Sequence, residues 1–153
     1  MGSAAFLETY AGILAGADIL AHVADKLTPG AFTRFLAGPR AAAILAEHAP
    51  GGAPLGYATL DPSDLPLARA DDLELRRLYV LAPWHGSGLG AALMDAALAA
   101  AREAGAARLL LGVYHGNARA RRFYDRRGFA IVGERPFTVG AVTHHDPVYA
   151  LAL

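Results

Sequence analysis

The distribution of apolar and polar residues along the chain predicts helices first and strands afterwards. Residues from about Ser3 to Leu36 are predicted to form two or three helices. Thr28-Pro29 supplies an N-cap and a first-turn proline for one of them, which is expected to end near Gly38-Pro39. A helical segment is therefore expected to precede the first strand.

Short apolar runs separated by turn residues predict the strands of a sheet. Ala42 to Glu47 and Leu55 to Leu60 are joined by the turn "APGGAP", as in a β-hairpin. A polar loop, Asp61 to Asp72, leads to the strand "LELRRLYVL", and "RLLLGVY" is typical of a short buried strand. We expect Phe129 to Glu134 and Val142 to Leu153 to be the closing strands.

The strand "LELRRLYVL" changes phase in its middle. Leu73 and Leu75 have one parity and Leu78 and Val80 the other, although a regular strand keeps its apolar face at period two. The change falls at Arg76-Arg77 and predicts a β-bulge, a feature often found beside active sites. The alternative interpretation is a strand buried on both faces, in which phase carries no information.

A glycine-rich turn, "PWHGSGLGAAL", follows this strand and places three glycines at alternate positions before an alanine-rich helix. That helix is predicted to reach Arg102 and to be closed by Gly105. A further helix, "NARARRFYDRR", is predicted to stop at Gly128. Because the first amides of a helix are unpaired and the helix dipole adds partial positive charge, such a turn suits an anionic ligand.

Composition limits the classes of protein to which the chain can belong. With 153 residues, of which 54% are hydrophobic and 18% charged, it is expected to form one globular domain over residues 1–153. It contains no cysteine, which excludes a disulfide framework and a thiolate zinc site. The sequence shows no signal peptide and no apolar run of about 20 residues, so we expect a cytoplasmic, soluble protein without a membrane partner.

Charge is unevenly distributed, although the net charge is zero. Met1 to Glu74 contains nine acidic and four basic residues, whereas Leu75 to Leu153 contains five acidic and ten basic ones. One interpretation is an ordinary mixed surface. The other is an anion bound by the second half and a cation recruited by the first. Neither half resembles the strongly basic face of a nucleic-acid-binding protein, so we expect no nucleic acid partner.

The segments "LYVLAPWHGSGLGAALMDAAL" and "NARARRFYDRRGF" together resemble the GNAT superfamily of acyl-CoA-dependent N-acyltransferases. Members carry Gln/Arg-x-x-Gly-x-Gly/Ala between a strand and a helix, followed by a segment with Asn, Phe-Tyr and Gly-Phe. The resemblance covers about Ala42 to Leu153. "LELRRLYVL", "LGVYHGN" and "HHDPVYALAL" are also similar to a branch that acetylates small amines and polyamines.

The resemblance implies an α/β fold, in which a mixed twisted sheet is flanked by helices and two central parallel strands splay apart. It implies acetyl-CoA as cosubstrate, with the pantetheine arm along the first of these strands and the pyrophosphate on the glycine turn. The acceptor that it implies is a small-molecule amine. The residues expected to bind the cofactor are Leu78, Tyr79, Val80, His85, Gly86, Ser87, Gly88, Leu89, Gly90, Asn117 and Tyr124.

The sequence departs from the family at two points. His85 stands where the family has Gln or Arg. The family's first strand is also missing, because this chain begins almost inside the first helix. Either the start is truncated, or the sheet lacks that strand and exposes an edge for pairing with another chain, as in a homodimer.

Direct acetyl transfer needs a group that takes a proton from the amine and another that gives one to the leaving thiolate. Glu74 matches the position of a carboxylate base in many members, the alternative being a surface carboxylate paired with an arginine. His115 is a second candidate base, the alternative being a surface or cap residue. Tyr124 matches the family's general acid, the alternative being a core aromatic. The lack of cysteine disfavours a covalent relay.

Charged clusters elsewhere allow other interpretations. Asp71 and Asp72, close to Glu74, are expected to attract a cationic amine. His144 and Asp146 have the same parity in a strand and can converge on a metal, although we expect none. The five arginines between Arg119 and Arg127 surround a helix, which favours solvation over a nucleic-acid stripe.

Two other functions remain open. One is a non-catalytic regulator of the same fold that binds acyl-CoA. The other is a nucleotide-phosphate binder, which would carry Lys-Ser/Thr after the glycines, where this chain has Ala91-Ala92. The sequence does not identify the acceptor, whose site we expect the helices before Gly38 and the loop Asp61 to Asp72 to shape.

Overall fold

A computed structural model describes residues 1–139 and 142–153 of the chain. Its helices are α1 (Gly2–Tyr10), α2 (Gly16–Lys26), α3 (Pro29–Leu36), α4 (Leu89–Glu103) and α5 (Ala118–Arg126), with a 3₁₀ turn at Ala82–Trp84. Its strands are β1 (Ala42–Glu47), β2 (Pro54–Pro62), β3 (Leu73–Val80), β4 (Arg108–Gly112), β5 (Ala130–Val139) and β6 (Val142–Ala152).

Within the described residues, the strands form one mixed sheet in the order β1-β2-β3-β4-β6-β5. Strands β3 and β4 are parallel, and every other neighbouring pair is antiparallel. The predicted α/β fold is confirmed. The elements before β1 are helices, so β1 forms one edge of the sheet. No helix in the described parts of the chain is both long and apolar enough to cross a bilayer.

Local sequence signals fix the ends of several elements. The Thr28 hydroxyl accepts a hydrogen bond from the Ala31 amide at 3.2 Å, which caps α3 as predicted. The hairpin of β1 and β2 is confirmed. Strand β5 is longer than predicted because it remains paired with β6 up to Val139. Strand β4 is shorter than predicted, and its pairing with β6 ends at Gly112.

The helices cover both faces of the sheet. On one face, α4 buries Leu93, Met94 and Ala97 against the strands. On the other face, Phe6 of α1 and Ile19 of α2 form a separate cluster, against which Tyr79 of β3 packs. Strand β3 is therefore enclosed by helices on both sides, and its two sets of side chains have different surroundings.

The predicted β-bulge lies in the middle of β3. Thr59 of β2 is opposite Arg77, whereas the next residue of β2, Leu60, is opposite Leu75, so Arg76 is an extra residue. The insertion shifts the phase of the strand. As a result, the four apolar residues of β3 on either side of it all join the α4 core: Leu73, Leu75, Leu78 and Val80.

The two parallel strands separate soon after they begin. Paired positions of β3 and β4 are Leu73 with Leu109 and Glu74 with Leu110, and beyond them the strands diverge. The expected splay between two central parallel strands is thus present. It opens directly beside Glu74 and on the N-terminal side of the bulge.

Candidate active site

A cavity of about 670 Å³ occupies the gap between the separated strands. Helices α1 to α3 and strand β3 line one side, and the ends of β4, β6 and the start of α5 line the other. Glu74, Asn117 and Tyr124, which the sequence places far apart, meet on its wall. A second cavity of about 430 Å³ shares Val80, His85 and Asn117 with the first, so both reach His85, the residue before Gly86.

The glycine turn presents backbone amides that the protein leaves unused. The chain has positive φ angles of 83° at Gly86 and 88° at Gly88, which side-chain-bearing residues rarely adopt. The amides of Gly86, Gly88 and Gly90 donate to no acceptor among the described residues. The amides between them are satisfied locally, His85 by Ala82 O, Ser87 by Trp84 O and Leu89 by Ser87 Oγ.

Through the turn, glycines with free amides thus alternate with residues whose amides are hydrogen-bonded. Three free donors therefore lie close together at the start of α4. Gly88 is the N-cap of that helix, so the partial positive charge of the helix dipole coincides with these donors. At Gly90 the backbone is helical, and the nearest atom to an added Cβ is Val80 Cγ2 at 3.9 Å. The arrangement suits a phosphate group that approaches the backbone closely.

His85 joins the turn to the strand before it. Its Nε2 lies 2.9 Å from the Val80 carbonyl oxygen, and its Nδ1 contacts the Arg119 guanidinium. Because a carbonyl oxygen can only accept a hydrogen bond, Nε2 is the ring nitrogen placed to donate to Val80. The ring ties the first residue of the motif to α5 and to the end of β3.

Glu74 is a buried carboxylate on the cavity wall. It is 2% exposed, and burial, opposed by the positive charge of Arg76, raises its pKa to about 7. Its Oε2 lies 3.4 Å from Arg76 Nη1 and accepts a hydrogen bond from Ser63 Oγ at 3.5 Å. A carboxyl group with this pKa is ionised in part of the molecules at neutral pH and can take up a proton there.

Tyr124 is both a core aromatic and a residue of the cavity wall. It is 8% exposed and packs against Phe129 and Tyr149. Burial raises its pKa above the ordinary range, so the hydroxyl keeps its proton at neutral pH. No acceptor among the described residues takes a hydrogen bond from this hydroxyl. The two interpretations of Tyr124, core residue and proton donor, are therefore compatible.

A family model described as the acetyltransferase (GNAT) family matches residues 18–129 of the chain. The chain belongs to this family. It is also 41% identical over 133 residues to an uncharacterized N-acetyltransferase of Mycobacterium bovis, covering 87% of this chain and 80% of that protein. The GNAT family assignment makes the chain an acyltransferase, in agreement with the resemblance found in its motifs.

Solved GNAT-type structures share the fold. The PaiA N-acetyltransferase of Thermoplasma acidophilum, in complex with coenzyme A, superposes with a TM-score of 0.76 at 21% identity, covering 99% of this chain and 87% of that one. A GNAT family acetyltransferase of Elizabethkingia anophelis with acetyl-CoA bound gives a TM-score of 0.63 at 18% identity, with 94% of each chain covered. At these identities the likeness concerns the fold.

His115 lies apart from the other candidate residues of this GNAT protein. Its side chain is about half exposed and is not among the residues that line the two cavities. Its backbone amide donates to Asp146 Oδ1 at 2.9 Å, and its Nδ1 lies 3.3 Å from the same oxygen. The structure brings Glu74 and Tyr124 to one cavity and leaves His115 at its periphery.

Asp146 is a buried carboxylate whose role the sequence does not reveal. It is 1% exposed, lines the cavity and holds the loop after β4 through His115. The side chain of His144 lies outside the described residues. No group of three or more potential metal ligands occurs among the side chains that are described.

The acidic residues expected to attract the acceptor are engaged elsewhere. Asp72 is completely buried, and its carboxylate accepts hydrogen bonds from Arg108 Nε at 3.0 Å and Nη2 at 2.6 Å. Neither Asp71 nor Asp72 lines a cavity. The prediction that they attract a cationic amine is therefore wrong for Asp72. Its charge is neutralised by Arg108, which joins this loop to β4.

The arginines of α5 and its C-cap residue Arg127 point in different directions. Arg119 contacts His85, Arg121 donates to the carbonyl of His115 at 3.2 Å, and Arg127 contacts Asp95 of α4. These contacts join α5 to three separate parts of the molecule. A continuous basic stripe on the helix is not formed by these three residues.

Arg135 is a cavity residue that the sequence analysis missed. It lies on β5 with its guanidinium over Gly112, where an added Cβ would be 2.5 Å from Cζ and Nε. The absence of a side chain at Gly112 therefore lets Arg135 enter the end of the gap. A single arginine in a polar strand gives no signal of this placement, since it depends on a glycine two strands away in the sheet order.

Proposed function

We propose that this GNAT protein transfers the acetyl group of acetyl-CoA directly to the primary amine of a small molecule. The observation that carries the proposal is the position of Glu74. It is a buried carboxylate with a pKa of about 7, at the point where the parallel strands separate. A proton acceptor thus lies on the wall of the cavity between the two strands.

The glycine turn supports the choice of cofactor. The free amides of Gly86, Gly88 and Gly90 provide three donors for the pyrophosphate, and Arg119 adds a positive charge beside them. Both cavities are lined by Val80 and by His85, the residue before Gly86, so a pantetheine arm beside Leu78 to Val80 would run from the turn into the main cavity. The solved relatives with coenzyme A or acetyl-CoA make the same cofactor the natural choice here.

The residues on the wall account for both proton transfers. The amine nitrogen attacks the thioester carbon, so that a C–N bond forms and the C–S bond breaks. Glu74 takes the proton that the nitrogen loses, directly or through water, and Tyr124 gives its hydroxyl proton to the departing thiolate. Bulk solvent then restores both groups. The chain has no cysteine, so the acetyl group cannot form a thioester with the protein and is transferred directly to the amine.

A non-catalytic acyl-CoA-binding protein of the same fold is the second candidate. Such a protein needs the glycine turn but gains nothing from a buried, partly ionised carboxylate opposite a buried tyrosine. Burying Glu74 raises the free energy of its ionised form, a cost that catalysis explains and binding of the cofactor alone does not.

The direct test is release of free coenzyme A from acetyl-CoA in the presence of a panel of primary amines, together with mass spectrometry of the acceptors. We expect release that depends on the amine and a gain of one acetyl group on the acceptor. Binding of acetyl-CoA by calorimetry without turnover for any amine would contradict the proposal and favour the non-catalytic candidate.

A further inference from the structure

The bulge in β3 brings Glu74 and Arg77 to the same face of the sheet. In a regular strand, residues three apart point to opposite faces. The insertion of Arg76 shifts the phase by one residue, which is why Leu75 and Leu78 both join the α4 core. Glu74 and Arg77 consequently share the other face and line the same cavity. With the bulge counted as one position, their Cα atoms are about 7 Å apart.

The two adjacent arginines have very different partners. Arg76 forms ion pairs with Asp61 at 2.6 Å, Asp64 at 3.0 Å and Glu74 at 3.4 Å. Arg77 has no carboxylate of any described residue within 4 Å. Its guanidinium carbon lies 5.7 Å from the centre of the Phe32 ring of α3, which fixes the side chain without neutralising its charge. Arg77 is half-buried on the cavity wall.

The side chains that line the cavity carry more positive than negative charge, as Arg77 does. Six arginine or lysine side chains line it, against three carboxylates, counting the residues that the structure describes. One of the six, Arg76, also pairs with Asp61 and Asp64 outside the lining, which leaves five basic side chains against three carboxylates. Asp25 and Glu74 each have a basic partner, Lys26 at 2.9 Å and Arg76 at 3.4 Å, and Asp146 accepts a hydrogen bond from the His115 amide at 2.9 Å. Arg34 of α3, on the same side of the cavity as Arg77, likewise has no carboxylate within 4 Å among the described residues.

An excess of positive charge is unfavourable for an acceptor that is only cationic, such as a polyamine. A guanidinium that is half-buried and without a counter-ion is suited to a carboxylate, which it can bind through two parallel hydrogen bonds. We propose that the acceptor is an amine that also carries a carboxylate, and that Arg77 binds this carboxylate while the amine lies at Glu74. This inference rests on the proposed acetyl transfer and narrows its substrate class.

The separation of the two residues suggests the acceptors with which to test it. Both side chains have several rotatable bonds, so acceptors of graded length are used to find the spacing of amine and carboxylate that fits. The probes are 4-aminobutanoate, 5-aminopentanoate and 6-aminohexanoate. For each one, the alkylamine and the diamine of equal chain length serve as matched acceptors without a carboxylate.

The variants are Arg77→Gln and Arg77→Lys, with Arg126→Gln as control. Arg126 is outside both cavities, so its replacement makes the same change of net charge without touching the site. Melting temperatures establish that each variant is folded. Steady-state kinetics at fixed ionic strength then give kcat and KM for each acceptor.

We expect wild type to prefer an amino carboxylate over the matched amine. Arg77→Gln should raise KM for the amino carboxylate by about tenfold to a hundredfold, the value of a charge-assisted hydrogen bond, with little change for the alkylamine. Arg77→Lys should retain part of the affinity, and Arg126→Gln all of it.

Two results would overturn the inference. One is a wild-type protein that acetylates the diamine or alkylamine at least as well as the amino carboxylate. The other is an equal loss for both acceptors in Arg77→Gln. In either case the acetyl transfer itself would stand, because the amines are still acetylated. If wild type acetylates no acceptor at all, the proposed function fails together with this inference.

Discussion

Glu74 is opposite Leu110 in the parallel register of β3 and β4, and this pair is the last before the two strands separate. The carboxylate thus lies where the sheet stops providing backbone partners and the cavity begins. Glu74 is only 2% exposed, so its side chain contacts little water, although it lies on the cavity wall. Both its raised pKa and its proposed role follow from this position.

Replacing Glu74 should change the pH profile of the enzyme. Because the base must be ionised to accept a proton, kcat/KM should fall as the pH decreases through about 7, the pKa of Glu74. This limb is distinct from the ionisation of an alkylamine acceptor, near pH 10. Glu74→Gln should abolish the limb and lower kcat by about a hundredfold or more. If the limb survives in Glu74→Gln and disappears in His115→Gln, the base is His115.

The same group predicts an effect on stability with a defined sign. The pKa of Glu74 is about 7 in the folded protein and 4.5 in the reference state, so folding favours the protonated form. Its contribution to stability is complete below pH 4.5 and is lost as the pH rises through 7, a change of up to about 3 kcal/mol. The melting temperature of Glu74→Gln, relative to that of wild type, should therefore be higher at pH 8 than at pH 5. An equal difference at both pH values would refute the raised pKa.

Removing the hydroxyl of Tyr124 should reduce turnover without loss of cofactor. If this hydroxyl protonates the thiolate, Tyr124→Phe should lower kcat by roughly tenfold to a thousandfold and leave acetyl-CoA affinity nearly unchanged. Tyr149→Phe is the matched control, since Tyr149 packs against Tyr124 but does not line the cavity. Equal turnover in the two variants would show that the Tyr124 hydroxyl is not the proton donor and that Tyr124 is only a core residue.

The two ends of α4 allow a controlled test of the phosphate site. Gly88 before the helix and Gly105 after it have φ angles of 88° and 71°, and neither has an atom within 4 Å of an added Cβ. Gly88→Ala and Gly105→Ala should each cost about 1–2 kcal/mol of stability through backbone strain. We expect Gly88→Ala to weaken coenzyme A binding tenfold or more, measured by calorimetry, and Gly105→Ala to leave it unchanged. Similar affinities in both would contradict a phosphate site at the turn.

A side chain at residue 112 should alter the chemistry more than the stability. In Gly112→Ala the Cβ would displace the flexible end of Arg135, at a cost of about 1 kcal/mol or less. Arg135 lowers the pKa of Glu74, so its displacement should move the acidic limb of kcat/KM to higher pH. Gly16→Ala, where an added Cβ has open space, is the control. An unmoved limb in Gly112→Ala would show that Arg135 does not act on Glu74.

Local patterns were enough to predict the frame of the site. The phase change between Leu75 and Leu78 located the bulge because only an inserted residue keeps both side chains in one core. The alternating glycines located the turn because Gly86 and Gly88 require positive φ angles. In each case the signal and its cause lie within a few residues of one another.

Properties that depend on contacts distant in sequence were not predicted. The sequence places Asp72 close to Glu74 and predicts that it attracts the acceptor, yet its carboxylate is buried and bound by Arg108, 36 residues away. The charges of Arg76 and Arg77 are equivalent in the sequence. Only the folded chain shows that the first is neutralised by three carboxylates and the second by none of those described. Such differences decide the net charge of the cavity lining, on which the proposed acceptor depends.

The inserted Arg76 is the one residue of β3 whose loss would preserve the pattern of the strand. If it were deleted, β3 would alternate regularly, and Leu75, Leu78 and Val80 would keep their places in the α4 core. The deletion would remove the bulge and the ion pairs of Arg76 with Asp61, Asp64 and Glu74. Loss of a residue after the bulge would instead exchange the faces beyond it, so the tolerance of β3 to a lost codon should depend on which codon is lost.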